Sequence, residues 1–505
     1  MATKHSLNRR EFLSTAAATT ASLSIVPSHV LGGPRHIAPS DKIAVANIGC
    51  GTQGLREMGR LLQHPEIQVT ALCDPNTYST DYLDWSANGI RNNIRRVLGK
   101  NTWGEGLKGI PGGREVAQNY VEAYYAGQKN QASFQVSAYE DFRELLAKET
   151  EVDVVKIMTP DHLHATIAIA AMRAGKDVVM HKPIANRMKE GRLTIDAAHN
   201  TGAITHLLAW KDRPQYTLIR EWIDAGLIGT LKEIHNWSYR PVWPQWPSIP
   251  TKKAPIPKGF NWDLWLGPEQ DRPYHPHYTH NVFRGWYDFG GGSIADMGHY
   301  SLFPLFETMG IEVAPTQAQA YGTTLRTVEN NVCKWIRNEV AFPYSCMVKL
   351  KFPKQKRLPA FDLYWYDGGM KPFEPDELEV EGKELEREGM LFVGDKGKIL
   401  GGFHGENPRL LLPQEAIDAY PGRKELREMV VTPSEAYWVS AVKTREESPG
   451  SFLRAGALTE MVNLAAIALR TGKKIKYDSE SMRITNDEKA NEFLTRAYRK
   501  GWELA

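Results

Sequence analysis

A chain of 505 residues, 42% hydrophobic and 24% charged, reads as globular and is long enough for two domains of ordinary core size. Lys plus Arg (62) nearly balance Asp plus Glu (59), leaving a formal charge of +3, and no block of like charges forms an arm for nucleic acid, which is therefore not an expected partner. Cys50, Cys73, Cys333 and Cys346 are too few for a disulfide scaffold and are expected to be free thiols.

Asn8-Arg9-Arg10-Glu11-Phe12-Leu13 precedes an uncharged run from Ser14 to Val26, and together they resemble a twin-arginine signal. Residues 1–31 are assigned to it, which implies a periplasmic location reached by export of a folded protein. No clean Ala-x-Ala follows, so cleavage and an uncleaved anchor both stay open. Beyond this segment no apolar run is long enough for a spanning helix, and no membrane contact is expected apart from export.

The first strand is expected over Lys42 to Ile48, a helix over Leu55 to Gln63 and a second strand over Gln68 to Cys73, a β-α-β unit. From about residue 76 to 130 an insertion rich in Asn, Gly, Tyr and Arg interrupts it. Alternation resumes with Phe134 to Val136, the helix Ala138 to Glu149, the strand Val152 to Met158, the helix Leu163 to Ala174, and the strand Asp177 to Met180 leading into His181-Lys182-Pro183. Strands alternating with helices predict a parallel, doubly wound Rossmann domain over residues 40–183 of an α/β protein.

A second domain is expected over 184–490. It starts with a helix Lys189 to Asn200 and a strand Ile204 to Ala209. The segment Trp237 to Trp286, dense in Trp, Pro, Tyr and His, is expected to be a long functional loop or lid, because its prolines break ladders. Strands over Val332 to Arg337, Tyr344 to Phe352, Ala360 to Tyr366, Met390 to Val393 and Lys398 to Leu400, with few helices between, predict a large, mostly antiparallel open sheet. A helix Ala455 to Thr471 follows, and a tail over 491–505 is expected to pack back on the body.

Gly49-Cys50-Gly51-Thr52-Gln53-Gly54 fits G-x-G-x-x-G between a strand and a helix, where glycines allow backbone amides to approach a pyrophosphate. Asp74 ends the second strand about twenty residues on, where a carboxylate accepts ribose hydroxyls and repels a 2′-phosphate. The expected cofactor is NAD in preference to NADP, and it is expected to be tightly bound.

These motifs, with Thr159-Pro160-Asp161-His162-Leu163-His164, Lys182-Pro183 and Gly290-Gly291-Gly292-Ser293-Ile294-Ala295-Asp296-Met297-Gly298, resemble the Gfo/Idh/MocA oxidoreductases over nearly the whole chain after residue 40. The resemblance implies a nucleotide domain, an α/β domain whose open sheet serves homo-oligomerisation, and redox chemistry on a hydroxyl of a sugar, glycoside or polyol. It places Thr159, Pro160, His164 and Lys182 on the cofactor side. The family's Glu-Lys-Pro stands here as His181-Lys182-Pro183, so the substrate-orienting lysine is Lys182 and the glutamate is replaced. Its Asp-x-Gly-x-His stands as Asp296-Met297-Gly298-His299-Tyr300, which makes Asp296 a substrate contact and puts Tyr300 at the acid/base position, as in glucose-fructose oxidoreductases. A neighbouring lysine would lower the phenol's pKa, and His299 competes for the role. In a helix, 296, 299 and 300 share one face.

Arg284 and Trp286 are further candidate substrate contacts, and the other tryptophans of the loop suit sugar faces. His275, His277 and His280 sit in a Pro-broken loop without a nearby Cys, and no metal is expected. Three functions fit: net NAD-dependent oxidation, glycoside cleavage through a transient oxidation, elimination and reduction on bound NAD, and a non-catalytic NAD- and sugar-binding protein.

Overall fold

The computed structural model describes residues 41–128, 134–240, 243–380, 382–426 and 432–504; the twin-arginine segment lies outside them. Strand β1 (Ile43–Ile48), with side chains buried on both faces, lies between β2 (Ile67–Cys73) and β4 (Val154–Ile157). Helix α1 (Thr52–Gln63) joins β1 to β2 and buries Leu55, Met58, Leu61 and Leu62, the helical spacing that packs a stripe onto a sheet.

The insertion is ordered into two helices, α2 (Gly89–Leu98) and α3 (Arg114–Ala126). Ile90, Ile94, Val116 and Tyr120 pack into the core shared with α1 and β2, so this stretch supplies the crossover helix rather than a structureless excursion. The third strand is β3 (Ser137–Tyr139), later than Phe134 to Val136, because its pairing with Ala71 to Cys73 fixes the register. Helices α4 (Phe142–Lys148) and α5 (His164–Arg173) and strand β5 (Asp177–Met180) follow.

The sheet does not stop at residue 183. After α6 (Met188–Thr201), β6 (Thr205–Leu207) pairs in parallel with β5 and completes a six-stranded parallel sheet in the order β3-β2-β1-β4-β5-β6. The reversal of direction beside β1 opens the crevice where such sheets bind ligands.

Helix α7 (Pro214–Asp224) leads to β7 (Leu231–Trp237), the first strand of the second sheet. The segment to residue 286 is irregular apart from a short helix Trp262–Leu266 and a 3-10 turn His280–Gly285, and it closes its own aromatic core around Trp262, Trp265, Trp286 and Phe289. Helix α8 (His299–Met309) follows it. The strands are then β8 (Gln317–Gly322), β9 (Leu325–Glu329), β10 (Val332–Ile336), β11 (Cys346–Phe352), β12 (Phe361–Tyr366), β13 (Gly389–Gly394), β14 (Lys398–Gly401) and β15 (Arg409–Leu411). Helices α9 (Ser434–Thr444) and α10 (Gly456–Thr471) and the short strands β16 (Ile475–Asp478) and β17 (Arg483–Ile484) complete the order.

Nine strands form one sheet, β15-β14-β13-β7-β12-β11-β8-β16-β17, antiparallel except for β7 with β12. In β11 Val348, Leu350 and Phe352 point into the core while Met347, Lys349 and Lys351 point away, the alternation of a sheet with one covered face. β9 and β10 pair separately as a hairpin. Helix α9 returns to the first sheet, where Trp438 and Val439 join the core of Val154, Val179 and Leu208, so residues from the far end of the sequence finish the nucleotide domain. In the tail, Trp502 is buried and Arg143 lies 4.6 Å from its ring.

Candidate active site

At the end of β1 the backbone of Gly49 turns with φ +101°, and a side chain there would meet the carbonyl carbon and oxygen of Met158 at 2.6 Å. Only glycine fits such a turn. Gly51 precedes α1 with no side-chain cap, leaving the helix's first-turn amides for an anion. The Asp74 carboxylate accepts the amide N–H of Cys50 at 2.6 Å and that of Asn76 at 2.8 Å. Burial raises its pKa from the ordinary value, and these two N–H bonds oppose the rise. A carboxylate has about four acceptor positions, so two remain for ribose hydroxyls. Gly49, Gly51 to Gly54, Asp74, Thr159 and Pro160 line one cleft. An uncapped amide cradle followed by an acidic strand end fits a dinucleotide.

The insertion and the aromatic segment meet over this cleft. Thr77 donates its amide N–H to Gly259 O at 2.8 Å, and Asn261 donates to Pro75 O at 2.9 Å. Tyr82 packs on Gly51, accepts from Asn76 Nδ2 at 3.0 Å and has its ring centroid 3.9 Å from that of His280. His280, in the left-handed region at φ 55°, sits with Nε2 3.1 Å from Asp81 Oδ1. His277 instead stacks on Trp246 at 3.8 Å, so the loop's histidines serve two different contacts. Among the described residues no group of three His, Cys, Asp or Glu could hold a metal ion.

The other wall carries charge. His181 and Arg284 line the cleft, and Lys182, Asp296 and Tyr300 lie behind them. Lys182, 1% exposed, places its ammonium on Asp296 Oδ1, which also lies 3.4 Å from Arg284 Nε. Burial drives the Asp296 carboxyl up, but Lys182 and Arg284 outweigh it and hold the group below its ordinary value. Burial lowers the Lys182 pKa, with Asp296 opposing. His181 Nε2 is 3.0 Å from the Tyr300 hydroxyl, and Lys182 Nζ is 4.9 Å from the Tyr300 ring centroid.

Residues Ile294–Gly298 form a π-helical turn before α8, a wider coil of the kind found at functional sites. It separates the three residues expected on one face. Asp296 and Tyr300 reach the cluster, whereas His299 is fully buried with Nδ1 2.7 Å from Ala295 O and Nε2 without a hydrogen-bond partner. Burial, with Lys182 adding, takes the His299 pKa down to about 3.

Residues 218–361 and 364–504 match the family model described as the oxidoreductase family, C-terminal alpha/beta domain, and residues 115–208 match that family's NAD-binding Rossmann fold. The chain belongs to the Gfo/Idh/MocA oxidoreductase family. Levoglucosan dehydrogenase of Pseudarthrobacter phenanthrenivorans is 35% identical over 112 residues, 22% of this chain and 28% of that protein. A glycosyl hydrolase family 109 protein of Shewanella baltica is 27% identical over 213 residues, 39% of this chain and 38% of that protein. The matches thus span well under half of these relatives. The crystal structure of the WlbA dehydrogenase from Bordetella pertussis, in complex with NADH and UDP-GlcNAcA, shares the fold with a TM-score of 0.50 at 15% identity, covering 86% of this chain and 99% of that one.

Within this Gfo/Idh/MocA framework three expectations change. His164 does not line the cleft; its ring nitrogens lie 2.6 Å from Pro183 O and 2.9 Å from Thr159 O, so it braces the two loops that do. Trp286, 1% exposed, donates its indole N–H to His277 O at 2.8 Å inside the aromatic core, away from the cleft wall. The Tyr300 phenol is not lowered by Lys182, whose charge is engaged by Asp296; burial, with Asp296 and Glu57 adding, holds it well above its ordinary value.

The sequence gives Asp161, His181 and Tyr82 no expected role, and His280 is weighed there only with His275 and His277 as a metal ligand. Asp161 Oδ2 accepts the Gly291 amide N–H at 3.1 Å, while Oδ1 is buried without a partner. The Thr-Pro-Asp motif and the altered Glu-Lys-Pro pointed at Asp161 and His181, but nothing local marks Tyr82 or His280, which meet across nearly two hundred residues.

Proposed function

We propose that the protein oxidises a ring hydroxyl of a sugar, glycoside or polyol by hydride transfer to NAD. The observation that supports this reading best is the cluster of Lys182, Asp296, Arg284 and Tyr300 directly behind the wall of the dinucleotide cleft. Bound NAD supplies the hydride acceptor. Asp74 holds its ribose and disfavours a 2′-phosphate, which selects NAD over NADP. Lys182 orients the substrate hydroxyl and favours loss of its proton, Tyr300 receives that proton, and Asp296 and Arg284 contact the neighbouring hydroxyls. Relatives named levoglucosan dehydrogenase and inositol 2-dehydrogenase 2 belong to the same chemical class.

A second reading, glycoside cleavage by transient oxidation, elimination and reduction, is favoured by the seam of backbone hydrogen bonds across the cofactor cleft, which suits a cofactor kept through each turnover. Export by the twin-arginine route and a homo-oligomer built through the nine-stranded sheet belong to the same proposal, and light scattering of the periplasmic fraction tests both. For the chemistry, NAD-loaded protein is incubated with a panel of polyols and glycosides while absorbance near 340 nm and aglycone release are followed. Lasting NADH supports net oxidation, and release without net NADH supports the cleavage cycle. Neither signal across the panel would leave a binding protein.

A further inference from the structure

A buried phenol makes a poor base. Tyr300 is protonated at rest, and its own proton has to leave its oxygen as another arrives. Among the described residues the group at hydrogen-bond distance from that oxygen is His181 Nε2, at 3.0 Å, with the two rings edge to face at 64°. Asp296, the other nearby acceptor, is engaged by Lys182 and Arg284.

We infer that His181 completes a proton relay in which the substrate hydroxyl's proton passes to the Tyr300 oxygen while the Tyr300 proton passes to His181 Nε2. The inference rests on the oxidation proposed above. The step balances: the substrate O–H bond breaks and a new O–H bond forms on Tyr300, the old Tyr300 O–H bond breaks and an N–H bond forms on His181. The hydride leaves the substrate carbon with its electron pair for the nicotinamide dinucleotide. His181 lines the cleft and passes its proton to solvent as the cleft opens on product release.

The surroundings of His181 fit a transient carrier. Burial pushes its pKa well below the ordinary value, and Lys182, Arg284, His164 and Lys156 all push the same way. The imidazole is therefore neutral at rest, with a lone pair available, and it does not retain a proton between turnovers. Lys156, 1% exposed with no hydrogen-bond partner and 3.8 Å from Glu57, is an uncommon buried cation on the neighbouring strand that reinforces this. A glutamate, the residue of the family motif at this position, would also accept a proton, so the replacement preserves the capacity while changing the group.

The test uses the NAD-loaded full chain and the substrate found in the panel above. His181→Gln keeps a hydrogen-bonding side chain that cannot take a proton, so kcat is expected to fall by about a hundred- to ten-thousand-fold with KM and NAD affinity, read by quenching of protein fluorescence, unchanged. His181→Glu should recover most of that loss, and added imidazole should rescue His181→Gly. Wild-type kcat in His181→Gln, or loss in all three variants without rescue, would overturn the relay. If the variants fail to fold, a proton inventory on the wild-type enzyme decides: a bowed dependence on deuterium fraction means two protons in flight, and a straight line overturns the relay. Oxidation by the wild type with an intact His181→Gln variant leaves the oxidation reading standing and removes only the relay; no turnover by the wild type removes both.

Discussion

The ammonium of Lys182 rests on the carboxylate of Asp296, 114 residues away, joining the end of β5 to the π-helical turn of the second domain. The pair is buried, and removing Lys182 leaves Asp296 with Arg284 as its remaining counter-charge, so the cost is expected to fall below the ~3–5 kcal/mol of a fully unpaired buried charge. Lys182→Ala is therefore expected to lower the melting temperature and to abolish turnover while NAD still binds. Calorimetry of the NAD complex beside steady-state kinetics checks this, and turnover near the wild-type rate would remove Lys182 from the chemistry.

Tyr300→Phe and His299→Ala separate two rings that the sequence leaves as rivals. Tyr300 keeps a partly exposed edge and meets His181, whereas His299 is enclosed and turned to Ala295 O. Tyr300→Phe is expected to reduce kcat by about a hundred- to ten-thousand-fold without loss of stability. His299→Ala opens a cavity and is expected to cost roughly 2–4 kcal/mol of stability, with kcat of the folded fraction changed only a few-fold. Kinetics corrected for the folded fraction decide between them, and the reverse pattern would make histidine the base.

The nucleotide domain was legible because its signals are local. The continuous apolar run of β1, the glycines at 49, 51 and 54 and the aspartate at the end of β2 are each set by neighbours within one β-α-β unit. What escaped depends on distant chain. β6 reads as an ordinary short strand until its parallel pairing with β5 is seen, and α9 completes the first core from residue 434 onward. In the site, Lys182 and Asp296 are legible as motif positions and Arg284 as a candidate substrate contact, but the π-helical turn that buries His299 and presents Tyr300 has no sequence signature. A helical wheel puts Asp296, His299 and Tyr300 on one face, and one wider turn is enough to divide them.

Asp74 has two tasks, since its oxygens accept the amide N–H groups of Cys50 and Asn76 while facing the cleft. Asp74→Ser is expected to weaken NAD, to relax discrimination against NADP, and to loosen the glycine turn itself. Titration calorimetry with both nucleotides checks the first two effects, and hydrogen exchange at Cys50 and Gly51 checks the third. Unchanged NAD affinity would sink the assignment.

Tyr82 joins the insertion to the aromatic segment over the glycine turn, packing on Gly51 and on the ring of His280. Tyr82→Ala removes both contacts without touching the amide cradle. The dissociation rate of bound NAD is expected to rise by about tenfold or more, the loss of roughly one aromatic contact and its burial. Stopped-flow displacement by excess labelled nucleotide measures it, and an unchanged rate would mean that the seam does not retain the cofactor.

A pH effect on stability is expected at Asp367. Its Oδ1 accepts the Cys346 amide N–H at 2.8 Å and its Oδ2 accepts the Trp365 indole N–H at 3.0 Å, but burial outweighs these bonds and raises the carboxyl from 3.8 to about 6. The folded protein therefore holds a proton that the unfolded chain releases between about pH 4 and pH 6. Its contribution to stability is complete below that window, declines as pH rises through it, and is flat above, a change of about 2–3 kcal/mol. Asp367→Asn cannot titrate. The stability difference, wild type minus variant, should thus shrink by this amount from pH 4 to pH 7, as read by guanidinium unfolding at both values; a difference independent of pH would show that the carboxyl titrates alike in the folded and unfolded chains.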